Sequence, residues 1–363
     1  MKICFLYTVE NAHIQKWCKY FSERGHEVHL ISMYPGECQY AQLHLLATKV
    51  SNKNESDVRK IDYLLHGKEL RRLVQSINPD IIHAHYVSSY GSMCSLAGIT
   101  PFWLSIWGSD IYEFPGKGFP HKLLVKNTLK KAHMLLSTSK AMAREIGKYT
   151  DRKIEITPFG VDMKLFTPEK RTRINDGKFV VGTVKALEKK YGIDDLLRAS
   201  AIVLEKRKDI PLEVRIAGTG TMKSELKYLS NHLDLAKRVH WLGQIPQAKA
   251  AVEWANMDVA IVASESESFG VSAVEAEASG LPVIISDIPG LMEATAPGKT
   301  SLVVKRKFPE QIAEKIIWLY DNPIEAKKIG IRGREFVEKK YEFNHCFEIV
   351  EKLYIEDLKR RSK

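Results

Sequence analysis

Two glutamates eight positions apart, Glu267 and Glu275, frame a turn at Ser268-Phe269-Gly270-Val271. An apolar run ends before this turn and a helix-forming run begins after it, so Gly270 stands where a strand gives way to a helix. N–H groups at a helix start point outward and the dipole favours an anion there, while a glycine lets a ligand approach the backbone. Carboxylates on either side of such an anion site suit hydroxyl-rich groups flanking a phosphate. One glutamate alone would read as a solvated helix-face residue; the full string between two apolar strands reads as a ligand site. Upstream, Lys185 and Lys190 lie five apart on a loop that follows another apolar run. That spacing lets both cations reach one diphosphate, each as a point charge rather than the bidentate fork of an arginine. Two lysines on a loop are ordinarily solvated, and it is the glutamate string that gives them weight. The turn Gly218-Thr219-Gly220 and the strand end Trp241-Leu242-Gly243-Gln244-Ile245 are weaker signals of the same kind.

These residues need a scaffold that presents strand ends. Apolar runs of strand length at 2–7, 27–32, 80–84, 102–106 and 134–137 alternate with helical spacing at 13–24, 61–77 and 122–131. A polar stretch over 167–177 interrupts the pattern, which then restarts. Strands are expected at 179–183, 212–217, 239–242, 259–263 and 282–286, with helices at 193–206, 222–231, 271–278 and 309–320. Such alternation predicts two α/β domains with doubly wound parallel sheets, at 1–165 and 178–340, facing each other across a cleft lined by strand carboxyl ends. Residues 341–363 read as a C-terminal helix, packing back toward the N-terminal domain. Its last residues, Lys359-Arg360-Arg361-Ser362-Lys363, also suit a solvated tail.

Composition narrows the partners. The 363 residues carry 55 Lys+Arg against 44 Asp+Glu, a net charge of +11, which implies an anionic partner: nucleic acid, nucleotide phosphate or membrane surface. No nucleic-acid motif and no basic stripe with interleaved aromatics occurs, so nucleic acid is excluded. Five scattered cysteines without a C-x-x-C pair exclude a disulfide framework and a zinc finger. No D-x-D sequence and no metal-ligand spacing is found, so no metal is expected. The charge-free stretch between Asp80 and Asp110 contains two histidines, four serines before Ile99, three glycines and Pro101, and reads as two buried strands around a short helix rather than a membrane span. The expectation is a cytoplasmic protein, peripheral at the inner face of the membrane. Residues 1–170 hold 23 Lys+Arg against 16 Asp+Glu, and Lys122, Lys126 and Lys130 share one helix face suited to anionic headgroups.

The glutamate string resembles the signature of retaining nucleotide-sugar glycosyltransferases of the GT-B fold, specifically the glycosyltransferase group 1 family (family 4). That family carries E-x7-E here, followed by a Gly-Leu-Pro-Val-Ile strand like that of Gly280-Leu281-Pro282-Val283-Ile284. The resemblance extends over essentially the whole chain. It implies that Glu275 binds the ribose hydroxyls and that Glu267 faces the transferred sugar. The amides of Ser268, Phe269, Gly270 and Val271 would hold sugar and diphosphate. The segment Val181-Gly182-Thr183-Val184-Lys185-Ala186-Leu187-Glu188-Lys189-Lys190-Tyr191-Gly192-Ile193 is similar to the family's Gly-Arg-Leu…Lys-Gly stretch, whose cations bind the diphosphate. It departs from that pattern in having Lys185 near the Arg position and Tyr191 between Lys190 and Gly192. Gly218 matches the Gly-x-Gly turn, and Ile245 the backbone contact to the base.

In the first domain, Ile81-Ile82-His83-Ala84-His85-Tyr86 resembles the family's His-x-His strand end, and Ile106-Trp107-Gly108-Ser109-Asp110 its His-Gly-x-Asp turn. Trp107 replaces the histidine, while Asp110 keeps the acidic position and joins Lys190, Lys185 and Glu267 as the catalytic set. Asn11, His13, His85 and Trp107 are the acceptor-binding candidates. The resemblance implies a hexosyltransferase whose donor is a nucleoside diphosphate sugar, UDP-linked by preference, and the missing D-x-D points to a metal-independent one. It needs no further cofactor and acts on a saccharide or lipid-linked saccharide. The alternative is another sugar-nucleotide enzyme on the same fold, an epimerase or phosphorylase.

Overall fold

The computed structural model describes residues 1–46, 66–174 and 176–362. The expected helix start at 61–65 lies outside them; its described part is Gly67–Ile77. The chain forms two compact units. One comprises Met1–Phe159 together with the chain from Cys346 onward, and the other Gly160–His345.

The first unit is built on seven strands: β1 (Lys2–Leu6), β2 (Glu27–Ser32), β3 (Gln42–Leu45), β4 (Ile81–His85), β5 (Trp103–Ile106), β6 (Met134–Ser137) and β7 (Glu155–Ile156). They lie in the order β3-β2-β1-β4-β5-β6-β7 and every pair is parallel. Central strands such as Ile3-Cys4-Phe5-Leu6 are apolar at consecutive positions because both faces are covered by helices. The helix Ala12–Glu23 turns Ile14, Trp17, Cys18 and Phe21 inward at helical spacing. The short edge strand β3, Gln-Leu-His-Leu with a half-exposed pattern, is missed by sequence reasoning.

The final helix, Phe343–Arg361, is not a solvated tail. From Cys346 onward it buries Cys346, Phe347, Val350 and Tyr354 against the first unit. Glu351 accepts from Arg24 Nε and pairs with His26 Nε2, each at 2.7 Å, and His133 pairs with Asp357 at 2.7 Å. The closing basic run obscures this inward stripe in the sequence.

The second unit carries β8 (Phe179–Val184), β9 (Leu212–Ala217), β10 (Val239–Gly243), β11 (Val259–Val262), β12 (Val283–Ser286) and β13 (Ser301–Val304). Their order is β10-β9-β8-β11-β12-β13, again all parallel. Both units are therefore Rossmann-like doubly wound sheets, as the alternation predicts. In each, the strand order reverses beside the first strand: between β1 and β4, and between β8 and β11. Loops leaving the carboxyl ends of strands at such a reversal are where this architecture binds ligands.

Candidate active site

In the second unit the loop leaving β8 holds Lys185 and Lys190, and the loop leaving β11 holds Glu267 and Gly270. Backbone bonds fasten the first loop to its neighbours. Lys185 N–H donates to Ala217 O at 2.8 Å, Leu187 N–H to Thr219 O at 2.9 Å, and Gly218 N–H to Gly243 O at 2.7 Å. Gly218 is obligatory: its φ is 142°, and a Cβ there would fall 1.8 Å from the Lys185 carbonyl oxygen. Glu188 accepts from the Thr221 N–H and hydroxyl, clamping the Gly218-Thr219-Gly220 turn. The loop also meets the one leaving β11, because Glu265 N–H donates to Lys190 O at 2.8 Å and a Cβ on Gly192 would meet Ala263 O at 2.1 Å.

The side chains converge there. Lys185 Nζ donates to Glu267 Oε1, with the two side chains 11% and 9% exposed. The Ser264 hydroxyl donates to the same oxygen at 3.2 Å. The Lys185 and Lys190 ammonium groups lie over the Tyr191 ring, 4.4 and 5.4 Å from its centre. Gly270 is the left-handed cap of the helix Val271–Ala278, without a side-chain cap bond; its carbonyl accepts from Ala273 N–H at 3.0 Å, and the Val271 and Ser272 N–H groups stand at the positive end of the helix. Ser272 Oγ donates to Val184 O at 2.9 Å and ties that start to the end of β8.

Among the other candidates of this unit, Ser268, Val271 and Glu275 are half-buried. Phe269 is a core residue, edge-on to Tyr341 at 5.0 Å, so only its backbone is available to a ligand. Ile245 is half-buried just beyond the irregular end of β10, where the register shifts between Trp241 and Gly243. Glu277, two residues past Glu275, is fully buried against Gly333, and burial pushes its carboxyl up to about 8. Sequence reasoning misses both Tyr191 and Glu277; Tyr191 had a signal, since it interrupts the family's Lys-Gly pair.

In the first unit two of the candidates, Asp110 and His85, are buried. Asp110 is 1% exposed and accepts from the N–H groups of Val87 at 2.8 Å, Gly108 at 2.8 Å and Trp107 at 3.3 Å. Burial raises its carboxyl to about 6 while these three donors pull the other way. Its carboxylate ties the Trp107-Gly108 turn to Val87, just beyond the end of β4. His85 is fully buried among Phe5, Tyr7, Trp17 and Trp107, and stacks on His83 at 4.4 Å. Neither ring nitrogen meets a partner among the described residues, and burial holds the imidazole well below its usual range.

Asn11 caps the helix Ala12–Glu23, its Oδ1 accepting from His13 N–H at 2.9 Å. The His13 ring stacks on Phe159 at 4.1 Å and meets Trp107 edge-on at 5.8 Å. Burial, with Lys16 nearby, lowers its imidazole to about 3. Tyr7 packs on Trp107 at 4.7 Å, and the Tyr86 hydroxyl bonds Ser109 Oγ. His13, Trp107, Tyr7 and Tyr86 thus form an aromatic, uncharged corner at the ends of β1, β4 and β5.

Known proteins resemble this chain along most of its length. The model described as glycosyl transferases group 1 matches residues 167–336, and glycosyl transferase 4-like matches residues 2–139. A D-inositol 3-phosphate glycosyltransferase of Pseudarthrobacter chlorophenolicus is 27% identical over 88% of this chain and 84% of its own length. Sucrose-phosphate synthase from Thermosynechococcus elongatus superposes with a TM-score of 0.85 at 18% identity over 98% of both chains. HepE of Anabaena, solved with UDP, gives 0.79 at 17% identity over 97% of this chain and 99% of that one. These two solved structures share the GT-B fold. The chain is a glycosyltransferase and belongs to the group 1 family.

Proposed function

We propose that the protein is a retaining, metal-independent transferase that moves a sugar from a UDP-sugar to a hydroxyl of a saccharide or lipid-linked saccharide. The observation that carries this reading is the Lys185–Glu267 pair beside the uncapped helix start at Gly270. Lys185, Lys190 and the first-turn N–H groups offset the charge that builds on the departing diphosphate, the task a metal would otherwise perform. Glu267 orients the transferred sugar and Glu275 the ribose. The acceptor hydroxyl attacks the anomeric carbon from the side on which the diphosphate leaves. As the new C–O bond forms, the bond to the diphosphate oxygen breaks and the acceptor proton passes to that oxygen. No side-chain nucleophile is needed. UDP is supported by the complex of the Anabaena relative in fold. The acceptor belongs with the aromatic corner of the first unit, where His13 and Trp107 offer ring faces rather than charge.

A thermal-shift panel of UDP-, GDP- and ADP-sugars tests the donor. The anomeric configuration of the product, made in EDTA with saccharide and inositol phosphate acceptors, tests the chemistry. An inverted product sinks the retaining mechanism, and activity restored only by a divalent cation sinks the metal-free one.

The acceptor reading includes an anionic membrane surface. No described helix is long and apolar enough to cross a membrane. The helix Phe119–Lys131 instead exposes Lys122, Lys126 and Lys130, with Phe119 77% and Leu123 55% exposed. Residues 114–144 include no Asp or Glu. Apolar tips among lysines suit an interface of anionic headgroups. Sedimentation with phosphatidylglycerol vesicles, lost in a Lys122/Lys126/Lys130→Glu variant, supports it; equal binding to neutral vesicles counts against it.

A further inference from the structure

Lys185 and Lys190 leave the same loop and carry the same charge, and they repel each other wherever they approach. Two features hold them at one place. Glu267 pairs with Lys185, but a carboxylate is itself an anion and opposes an arriving diphosphate. The second feature is Tyr191. The face of an aromatic ring is electron-rich and attracts ammonium groups within about 6 Å of its centre, without carrying a net charge. Both ammonium groups are inside that range, at 4.4 Å for Lys185 and 5.4 Å for Lys190. The ring also has a fixed mount. Tyr191 N–H donates to Glu188 O at 3.0 Å, and the following residue, Gly192, sits at φ 63° pressed against the Ala263 carbonyl. The aromatic side chain is half-buried against the core of the second unit. The residue that separates Lys190 from Gly192 is therefore a neutral, rigid platform for both cations.

We infer that Tyr191 is a positioning residue for the donor: its ring gathers the Lys185 and Lys190 ammonium groups where the diphosphate binds. This rests on the donor site proposed above. When the diphosphate arrives, Lys185 exchanges Glu267 for phosphate oxygen, whereas the ring keeps both cations without competing for them. The ring acts through the lysines and touches no reacting atom.

Donor kinetics of Tyr191→Phe and Tyr191→Leu, each in the natural background and with Lys185→Met and Lys190→Met together, test it. Tyr191→Leu keeps apolar bulk and removes the ring face; it should raise the donor KM and lower kcat/KM about tenfold. Tyr191→Phe keeps the face and should stay within about twofold. In the double-lysine background, Tyr191→Leu should have no further effect. A defect of folding alone would lower the active fraction, and hence kcat, without moving KM. The inference is overturned if Tyr191→Leu leaves KM unchanged, if Tyr191→Phe is as damaging, or if the leucine effect persists without the lysines. Lysine variants with an unchanged donor KM and kcat overturn the diphosphate site itself, and this inference with it.

Discussion

Lys185 and Glu267 are ion-paired across the reversal point of the second sheet, from the end of β8 to the loop after β11, with Nζ donating to Oε1. Both side chains are about nine-tenths buried, so removal of either partner leaves the other poorly solvated. The pair also means that a diphosphate competes with Glu267 for Lys185. Glu267→Gln should therefore bind UDP more tightly, by several-fold in calorimetry, while sugar transfer falls roughly 10²-fold because the sugar loses its orienting carboxylate. Weaker UDP binding in that variant would remove the competition from the mechanism.

Glu275 and Lys190 should separate kinetically. Loss of a charge-assisted bond to a ribose hydroxyl affects ground and transition states alike, so Glu275→Ala should raise the donor KM about tenfold with kcat nearly kept. Lys190→Ala removes a charge felt most as the phosphate departs, and should lower kcat by roughly 10²-fold. Steady-state kinetics with the best donor checks both. Equal effects of the two substitutions on KM and kcat would dissolve the assignment.

Glu277 should make stability depend on pH. Burial holds its carboxyl at about 8 in the folded protein, above its usual value of 4.5. Between those values the folded state keeps a proton that the unfolded state has released. Stability contributed by the neutral carboxyl is thus complete below pH 4.5 and is lost as pH rises through 8. Each pH unit in that window costs about 1.4 kcal/mol. Glu277→Gln, isosteric and never charged, should flatten this part of the profile and raise Tm at pH 8 more than at pH 5. Parallel pH profiles for the two proteins would refute the assignment.

Cys38 should be the most reactive thiol. A hydrogen bond from Cys18 lowers its thiol to about 7, against partial burial and with help from the N–H groups of Tyr40 and Ala41. Cys4 and Cys94 are fully buried and pushed upward. Iodoacetamide at pH 7 should label Cys38 first, and Cys18→Ser should slow that labelling several-fold. Peptide mapping decides; first labelling at Cys94 or Cys346 would contradict it.

By itself the sequence determined the two parallel sheets and the loops that carry Lys185, Lys190, Glu267 and Gly270, because those signals are local. Apolar runs of strand length, helical spacing, and glycines where a chain must turn or let a ligand approach are written into neighbouring residues. The Glu267-to-Glu275 string is one such segment, and its helix start at Gly270 stands where its pattern predicts. Tertiary structure decided what depends on residues distant in the chain. Lys185 meets Glu267 only because β8 pairs with β11 and carries two loops 82 positions apart to one edge. Asp110 and His85 had the residue types of a reactive site, yet three backbone donors occupy the one and aromatic rings enclose the other. The closing helix reads as charged, yet Phe347 and Tyr354 bury it on the first unit. Burial and pairing are sums over neighbours from several segments, and no local stretch of sequence contains that sum.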